Sequence, residues 1–148
     1  LMYLSPEDDA SHPFSYAQVI GVFHANVIHN IPGASTVPQR IEFLWVRRYR
    51  LDPKWRGGFK YKRLHRLEFL PADDPQAFGF LNPDEVIRGA HIIPAFSAGT
   101  TTEFLSEDSI GRLVREGLDD DEDWRYYYVN LFVDRDMFMR YVGGGVGH

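Results

Sequence analysis

The residues with the clearest potential for chemistry are cations and aromatic side chains that alternate between positions 40 and 66. This stretch holds ten Lys or Arg residues but only two acids, Glu42 and Asp52, so its net charge is +8. Arginine and lysine contact phosphates, interleaved rings can stack on bases, and rings can also enclose a methylated ammonium group. We therefore predict a binding face that consists of Arg47, Arg48, Arg50, Lys54, Trp55, Arg56, Phe59, Lys60, Tyr61, Lys62, Arg63 and Arg66.

The two signs of charge are segregated along the chain. The 148 residues carry a net charge of −5, so the chain outside positions 40–66 carries −13, and its densest acidic run is 119–123. This segregation allows an alternative, a purely structural domain in which the basic stretch pairs with the acidic run. Each exposed pair would then contribute only about 0–1 kcal/mol.

Signs of catalysis are weak. The absence of cysteine excludes disulfides, Cys-ligated zinc and a thiol nucleophile, and it fits a reducing compartment. The six histidines lack metal-ligand spacing, which predicts structural or surface roles for them. Asp134 and Asp136, with a third acid from 119–123, could form a nuclease-type carboxylate cluster, although helix capping and pairing with Arg135 explain them more simply. We expect no catalytic residue, metal or cofactor.

The elements that must position these residues are mostly strands. Val, Ile and aromatic residues predict strands over 14–28, 41–49, 64–70, 78–81, 90–93 and 124–133. The first two strands have apolar residues on both faces, as in a closed or well-covered sheet, and Gly21 predicts a bulge. Arginines at the end of 41–49 suggest that this strand leaves the core there.

Short helices are predicted at three places. Asn82-Pro83-Asp84-Glu85 has the residue types of a helix start, with an end at Gly89. Residues 109–118 have helical spacing of apolar residues, and Asp134 can cap a helix over 135–141.

Together these signals predict a mostly β, β-rich α+β chain that forms a small antiparallel β-barrel with two or three short helices and long loops. The predicted organisation is an extended acidic arm over 1–13, one domain over 14–142 and a Gly-rich flexible tail over 143–148. No run of 18 apolar residues and no signal-peptide pattern occur, so we expect no membrane partner and an intracellular location.

Several longer motifs resemble a known family. The motifs are His12-Pro13-Phe14, the run from Val19 to Val27, Arg40 to Arg47, Arg63 to Leu67, Asn82 to Arg88, His91 to Pro94 and Trp124 to Met137. They look like the C-terminal region of proteins carried by Plavaka-type, CACTA-like DNA transposons of basidiomycete fungi. This resemblance implies a nuclear setting and the parent transposase or DNA as a partner. It implies no reaction.

A second resemblance concerns the order of elements. The chain is similar to a bromo-adjacent homology (BAH) domain in the order of its motifs. These motifs are Phe43 to Arg50, Phe80 to Val86, His91 to Pro94, and Tyr126 to Asn130 with Phe138. This resemblance implies a β-barrel that reads histone tails or other proteins.

The sequence thus predicts a non-catalytic binding module that recognises a chromatin protein, a transposase or DNA through its basic, aromatic-containing segment. We expect no small-molecule substrate. The alternatives are the nuclease-type enzyme and the purely structural domain described above.

Overall fold

A computed structural model of the chain describes residues 1–5, 12–28, 37–105, 109 and 122–142. The strands are β1 (Met2–Leu4), β2 (Phe14–Val27), β3 (Gln39–Leu51), β4 (Arg66–Phe69), β5 (Phe78–Leu81), β6 (Val86–Arg88), β7 (Ile92–Pro94), β8 (Thr100–Thr101), β9 (Asp123–Trp124) and β10 (Tyr127–Val129). The described residues also include the α-helix α1 (Arg135–Val142) and the 3₁₀ turns Phe59–Tyr61, Pro83–Glu85 and Phe96–Ala98. The prediction of a mostly β chain is confirmed.

The main sheet is antiparallel and open. Its strands are ordered β6-β1-β2-β3-β4-β10-β7, with β5 paired beside β3, and β8 pairs separately with β9. The end strands β6 and β7 do not pair with each other within the described residues. The sheet therefore differs from the closed barrel that the sequence predicted.

The hairpin of β2 and β3 explains why both faces of these strands are apolar. Tyr16 and Val46 lie in the core, whereas Val22 is 72% exposed near the distal end of the hairpin. The distal half of the hairpin is thus a ribbon with both faces exposed. The arginine end of β3 enters the core, whereas the sequence analysis predicted that the strand leaves the core there. The ribbon carries a bulge between Val19 and Gly21, where Gly21 was expected to place one.

The first residues of the chain belong to the sheet. Strand β1 pairs with both β2 and β6, and Met2 is fully buried in the core. The predicted separate arm over 1–13 therefore contributes a strand, because pairing on both edges and apolar burial offset the cost of ordering it.

The core lies between the sheet and helix α1. Met137 of the helix is fully buried together with Tyr16, Leu67, Phe69 and Val129. A smaller cluster, formed by Tyr3, Ala17, Val46 and Leu81, lies near β1, β3 and β5. Leu51 and Leu64 lie at the two ends of the connection between β3 and β4 and pack against the first cluster. This connection holds most of the predicted binding residues.

The helix predictions have three outcomes. Asp134 accepts a hydrogen bond from the Met137 amide at 2.8 Å, which confirms the capped helix. Asn82 does cap a turn, but that turn is a 3₁₀ turn followed by β6, so the predicted helix ending at Gly89 is wrong. Except for Ser109, the helix predicted over 109–118 lies outside the described residues, as does the tail over 143–148.

None of the helices in the described part of the chain has the length and apolar character needed to cross a membrane.

Candidate functional site

The connection between β3 and β4, residues 52–65, is an ordered loop held by its own backbone. Asp52 accepts a hydrogen bond from the Lys54 amide at 2.9 Å, which turns the chain as β3 ends. Gly58 and Arg63 then form an antiparallel bridge around the 3₁₀ turn, with the Gly58 amide 2.7 Å from the Arg63 carbonyl. Gly58 has a φ of 100°, a conformation that favours glycine. The loop therefore has a defined shape.

Most of the predicted cations are exposed on this loop. We call Lys54, Arg56, Lys60, Lys62 and Arg63 the loop cations; all five side chains are exposed. Within the described residues, no carboxylate forms an ion pair with any of them. Their positive charge is thus available to a partner.

Arg47 does not belong to the binding face. Its guanidinium donates hydrogen bonds of 3.0 and 2.7 Å to the two carboxylate oxygens of Asp123, and only 2% of the Arg47 residue is exposed. The guanidinium also lies 3.6 Å from the centre of the Phe69 ring. The prediction for Arg47 is therefore wrong, because Asp123 and the Phe69 ring hold its side chain inside the molecule.

The other three strand arginines are committed to neighbours inside the molecule. Arg48 donates to the Gln76 carbonyl at 2.9 Å, and Arg50 donates to Glu68 at 2.8 Å. Arg66 donates from Nε to Oδ2 of Asp52 at 2.8 Å. These residues lie beside the loop, but less of their charge is available to a partner than that of the loop cations.

Arg66 also joins two aromatic rings into a stack. Its Cζ lies 4.2 Å from the centre of the Trp55 ring and 4.0 Å from that of Tyr126. The indole Nε1 of Trp55 donates to the Leu64 carbonyl at 2.9 Å. Trp55 is thus held at its nitrogen by the backbone and at its ring by a guanidinium that Asp52 fixes. The sequence did not indicate the role of Tyr126, because its contact with Arg66 joins distant parts of the chain.

A depression of about 410 Å³ opens beside this stack. It is lined by Lys54, Trp55, Arg56, Tyr61 and Arg63. Its lining thus contains three cations and two aromatic rings but no acid. The predicted residues Phe59, Lys60 and Lys62 lie on the same loop around it, and Phe59 is 44% exposed.

Two histidines meet at the base of the loop, although 53 positions separate them in the sequence. The ring centres of His12 and His65 are 4.4 Å apart, and Nε2 of the buried His12 is 3.2 Å from the Tyr16 hydroxyl. Both rings line a cavity of about 230 Å³ together with Lys60, Arg140 and Tyr141. Burial lowers the pKa of His65 below its ordinary value. The two histidines thus pack at the base of the loop. No sequence motif indicated that they lie close together.

The carboxylates of the enzyme alternative are engaged in ion pairs at separate places. Asp134 and Asp136 both accept hydrogen bonds from Arg88, at 2.5 and 2.6 Å, and the Arg88 hydrogen bond lowers the pKa of the Asp134 carboxyl. Asp123 pairs with Arg47, and 119–121 lie outside the described residues. Across the described ranges, no group of three or more His, Asp or Glu side chains could hold a metal ion.

Comparisons with family models, with curated proteins and with solved structures gave no match to this chain.

Proposed function

We propose that this protein binds nucleic acid through the loop of residues 52–65, without catalysing a reaction. The observation that carries the proposal is the set of five loop cations, which are exposed and, within the described residues, without an acidic partner. Unpaired cations on a chain with a net charge of −5 provide a localised site for a polyanion.

The electrostatics of the depression distinguish nucleic acid from a histone tail. A histone tail is basic, and a methylated lysine is a cation, so both would be repelled by Lys54, Arg56 and Arg63. A phosphate backbone is attracted by the same three side chains. The aromatic rings beside them favour nucleic acid over a simple acidic peptide, because bases stack on rings.

The two other functions have less support. A nuclease-type site needs converging carboxylates, whereas Asp134 and Asp136 are paired with Arg88 and Asp123 is paired with Arg47. A purely structural domain needs the basic stretch to be neutralised internally. Among the described residues, that pairing accounts for Arg47, Arg50 and Arg66 but for none of the loop cations.

The transposon and BAH resemblances, the nuclear location and a chromatin or transposase partner remain predictions. The binding proposal does not depend on them.

The test is the salt dependence of binding to a labelled oligonucleotide, measured by fluorescence anisotropy. If about five phosphates are contacted, raising the salt from about 50 to about 200 mM weakens binding several hundred-fold. The double variant Lys54→Gln/Lys62→Gln is expected to reduce the slope of log affinity against log salt by about 1.8, since each phosphate contact contributes about 0.9 on a duplex.

The matched control is Arg40→Gln/Arg135→Gln, which removes the same charge from exposed positions outside the loop. This control should leave the slope nearly unchanged. No binding at low salt, or equal slopes for the two double variants, would contradict the proposal.

A further inference from the structure

Within this interface, we infer that the depression between Trp55 and Tyr61 receives an unpaired nucleobase, so that the ligand is single-stranded nucleic acid. This inference rests on the proposed function and adds to it the class of nucleic acid. It follows from how the two aromatic residues are held and from what lines the space beside them.

Trp55 is a fixed platform. Its indole nitrogen donates to the Leu64 carbonyl at 2.9 Å, and its ring lies 4.2 Å from the Arg66 guanidinium. Asp52 and the Tyr126 ring hold that guanidinium in turn. Because the indole is already ordered, a base that stacks on it adds little cost of ordering the protein side chain.

Tyr61 supplies the second ring from the tip of the loop. It ends the 3₁₀ turn that the bridge between Gly58 and Arg63 encloses, and 42% of the residue is exposed. The Tyr61 amide donates to the Gly58 carbonyl at 3.1 Å, and this bond fixes the backbone from which the ring extends. Both aromatic residues of the depression are therefore positioned by hydrogen bonds that exist without a ligand.

The size and the lining of the depression are compatible with a base and its adjoining phosphates. Its volume of about 410 Å³ falls within the range of about 300–1,000 Å³ that is usual for sites that hold small organic molecules. Two rings offer stacking surface to a base, and Lys54 and Arg56 are available to the adjoining phosphates. The Arg63 guanidinium lies 4.9 Å from the centre of the Trp55 ring, at the edge of the same depression.

The aromatic rings favour an unpaired base over a paired one. In a duplex the faces of the bases are covered by neighbouring base pairs, so a protein reaches only base edges, sugars and phosphates. Exposed rings in the loop would then contribute little, and the cations would account for all of the affinity. In a single strand each base presents a free face that can stack on a ring.

The experiment compares a labelled single strand with the duplex of the same sequence at one fixed low salt concentration, by fluorescence anisotropy. The variants are Tyr61→Ala, Tyr61→Phe and Phe80→Ala; Phe80 is a control because it is an exposed ring on β5, outside the loop. We expect the single strand to bind more tightly than the duplex. Tyr61→Ala should weaken single-strand binding by at least about fivefold, the loss of one weak stack.

The same variants separate stacking from charge. Tyr61→Ala should change duplex binding little, while Tyr61→Phe and Phe80→Ala should both bind the single strand as the parent protein does. Equal affinity for single strand and duplex, with no effect of Tyr61→Ala on either, would overturn this inference and leave the proposed function intact. Absence of binding to both ligands at low salt would overturn both.

Discussion

The guanidinium of Arg47 and the carboxylate of Asp123 form a buried, two-hydrogen-bond pair across 76 positions of the sequence. Both side chains are almost completely inaccessible to solvent. The pair joins β3 to β9, and Arg47 also donates to the Phe104 carbonyl at 3.4 Å. The pair thus stabilises the interior, and it connects the basic segment with Asp123 at the end of the acidic run.

Removing one partner of this pair should destabilise the protein strongly. Asp123→Ala leaves the Arg47 charge buried without its carboxylate, which costs about 3–5 kcal/mol in comparable pairs. We expect a loss of this size in the free energy of unfolding measured with urea. The double variant Arg47→Met/Asp123→Leu should recover most of the stability because no charge stays buried. A loss below about 1 kcal/mol for Asp123→Ala would contradict the stabilising role of the pair.

Arg66 should act by positioning Trp55 and not by contacting phosphate. Arg66→Lys keeps the charge but loses the planar group between Trp55 and Tyr126, so the salt slope of binding should stay the same while affinity for a single strand falls. We expect a loss of about 1 kcal/mol in the free energy of unfolding from the weakened cation–π contacts. Arg50→Lys is the matched control, since Arg50 pairs with Glu68. If both substitutions change single-strand affinity equally, the positioning role is incorrect.

Gly57 should tolerate no side chain at the base of the loop. A Cβ atom at this position would lie 2.8 Å from the His65 Cα and from the Leu64 carbonyl oxygen, both of which are backbone atoms. Gly57→Ala is therefore expected to cost about 1–3 kcal/mol of stability, as other overpacked sites do, and to weaken oligonucleotide binding. Gly89→Ala is a suitable control because no atom lies within 4 Å of the added Cβ. Thermal unfolding of both variants gives the comparison, and equal melting temperatures would count against the tight packing.

The protein should lose stability as the pH falls below neutrality. Burial lowers the pKa of His65, so the folded protein binds a proton there less readily than the unfolded chain, whose histidine pKa is about 6.5. The stabilisation is therefore complete above about pH 6.5 and is lost as the pH falls towards the lower pKa of the folded state. Lys60 and Arg140 line the same cavity, and Arg140 is paired with Asp136. A protonated His65 would therefore face two other cations in this cavity.

Urea unfolding at about pH 7.5 and about pH 5.5 measures this effect. We expect His65→Gln to lose less stability than the parent protein over the same interval, because it removes the titrating group. An equal loss in the two proteins would show that His65 does not contribute to the pH dependence.

Local sequence signals predicted the elements whose boundaries depend on a few neighbouring residues. Strand β5 begins and ends where Phe78-Gly79-Phe80-Leu81 indicated, and Asp134 caps its helix as expected. Turn formation at Asp52 and Gly58 likewise depends on side chains and glycines within a few positions. The sequence also predicted a basic and aromatic loop between two strands.

Pairing between distant segments decided the rest. The Asn82 turn failed to continue as a helix because Val86 to Arg88 pair with β1, which lies more than 80 positions away. Apolar residues on both faces of β2 and β3 could not show whether the sheet closes, because closure depends on which distant strands meet at its edges. The exposed distal ribbon and the covered proximal half therefore have similar sequence patterns.

The sequence by itself determined that the chain is β-rich and that its cations and rings are concentrated in one segment, since composition and alternation are local properties. Only the tertiary structure decided which cations are available. Arg47 is removed from the surface by Asp123 and Arg66 is engaged by Asp52, whereas the loop cations stay exposed. The physical reason is that an ion pair depends on the distance between two side chains in space, and that distance is set by the packing of the whole sheet.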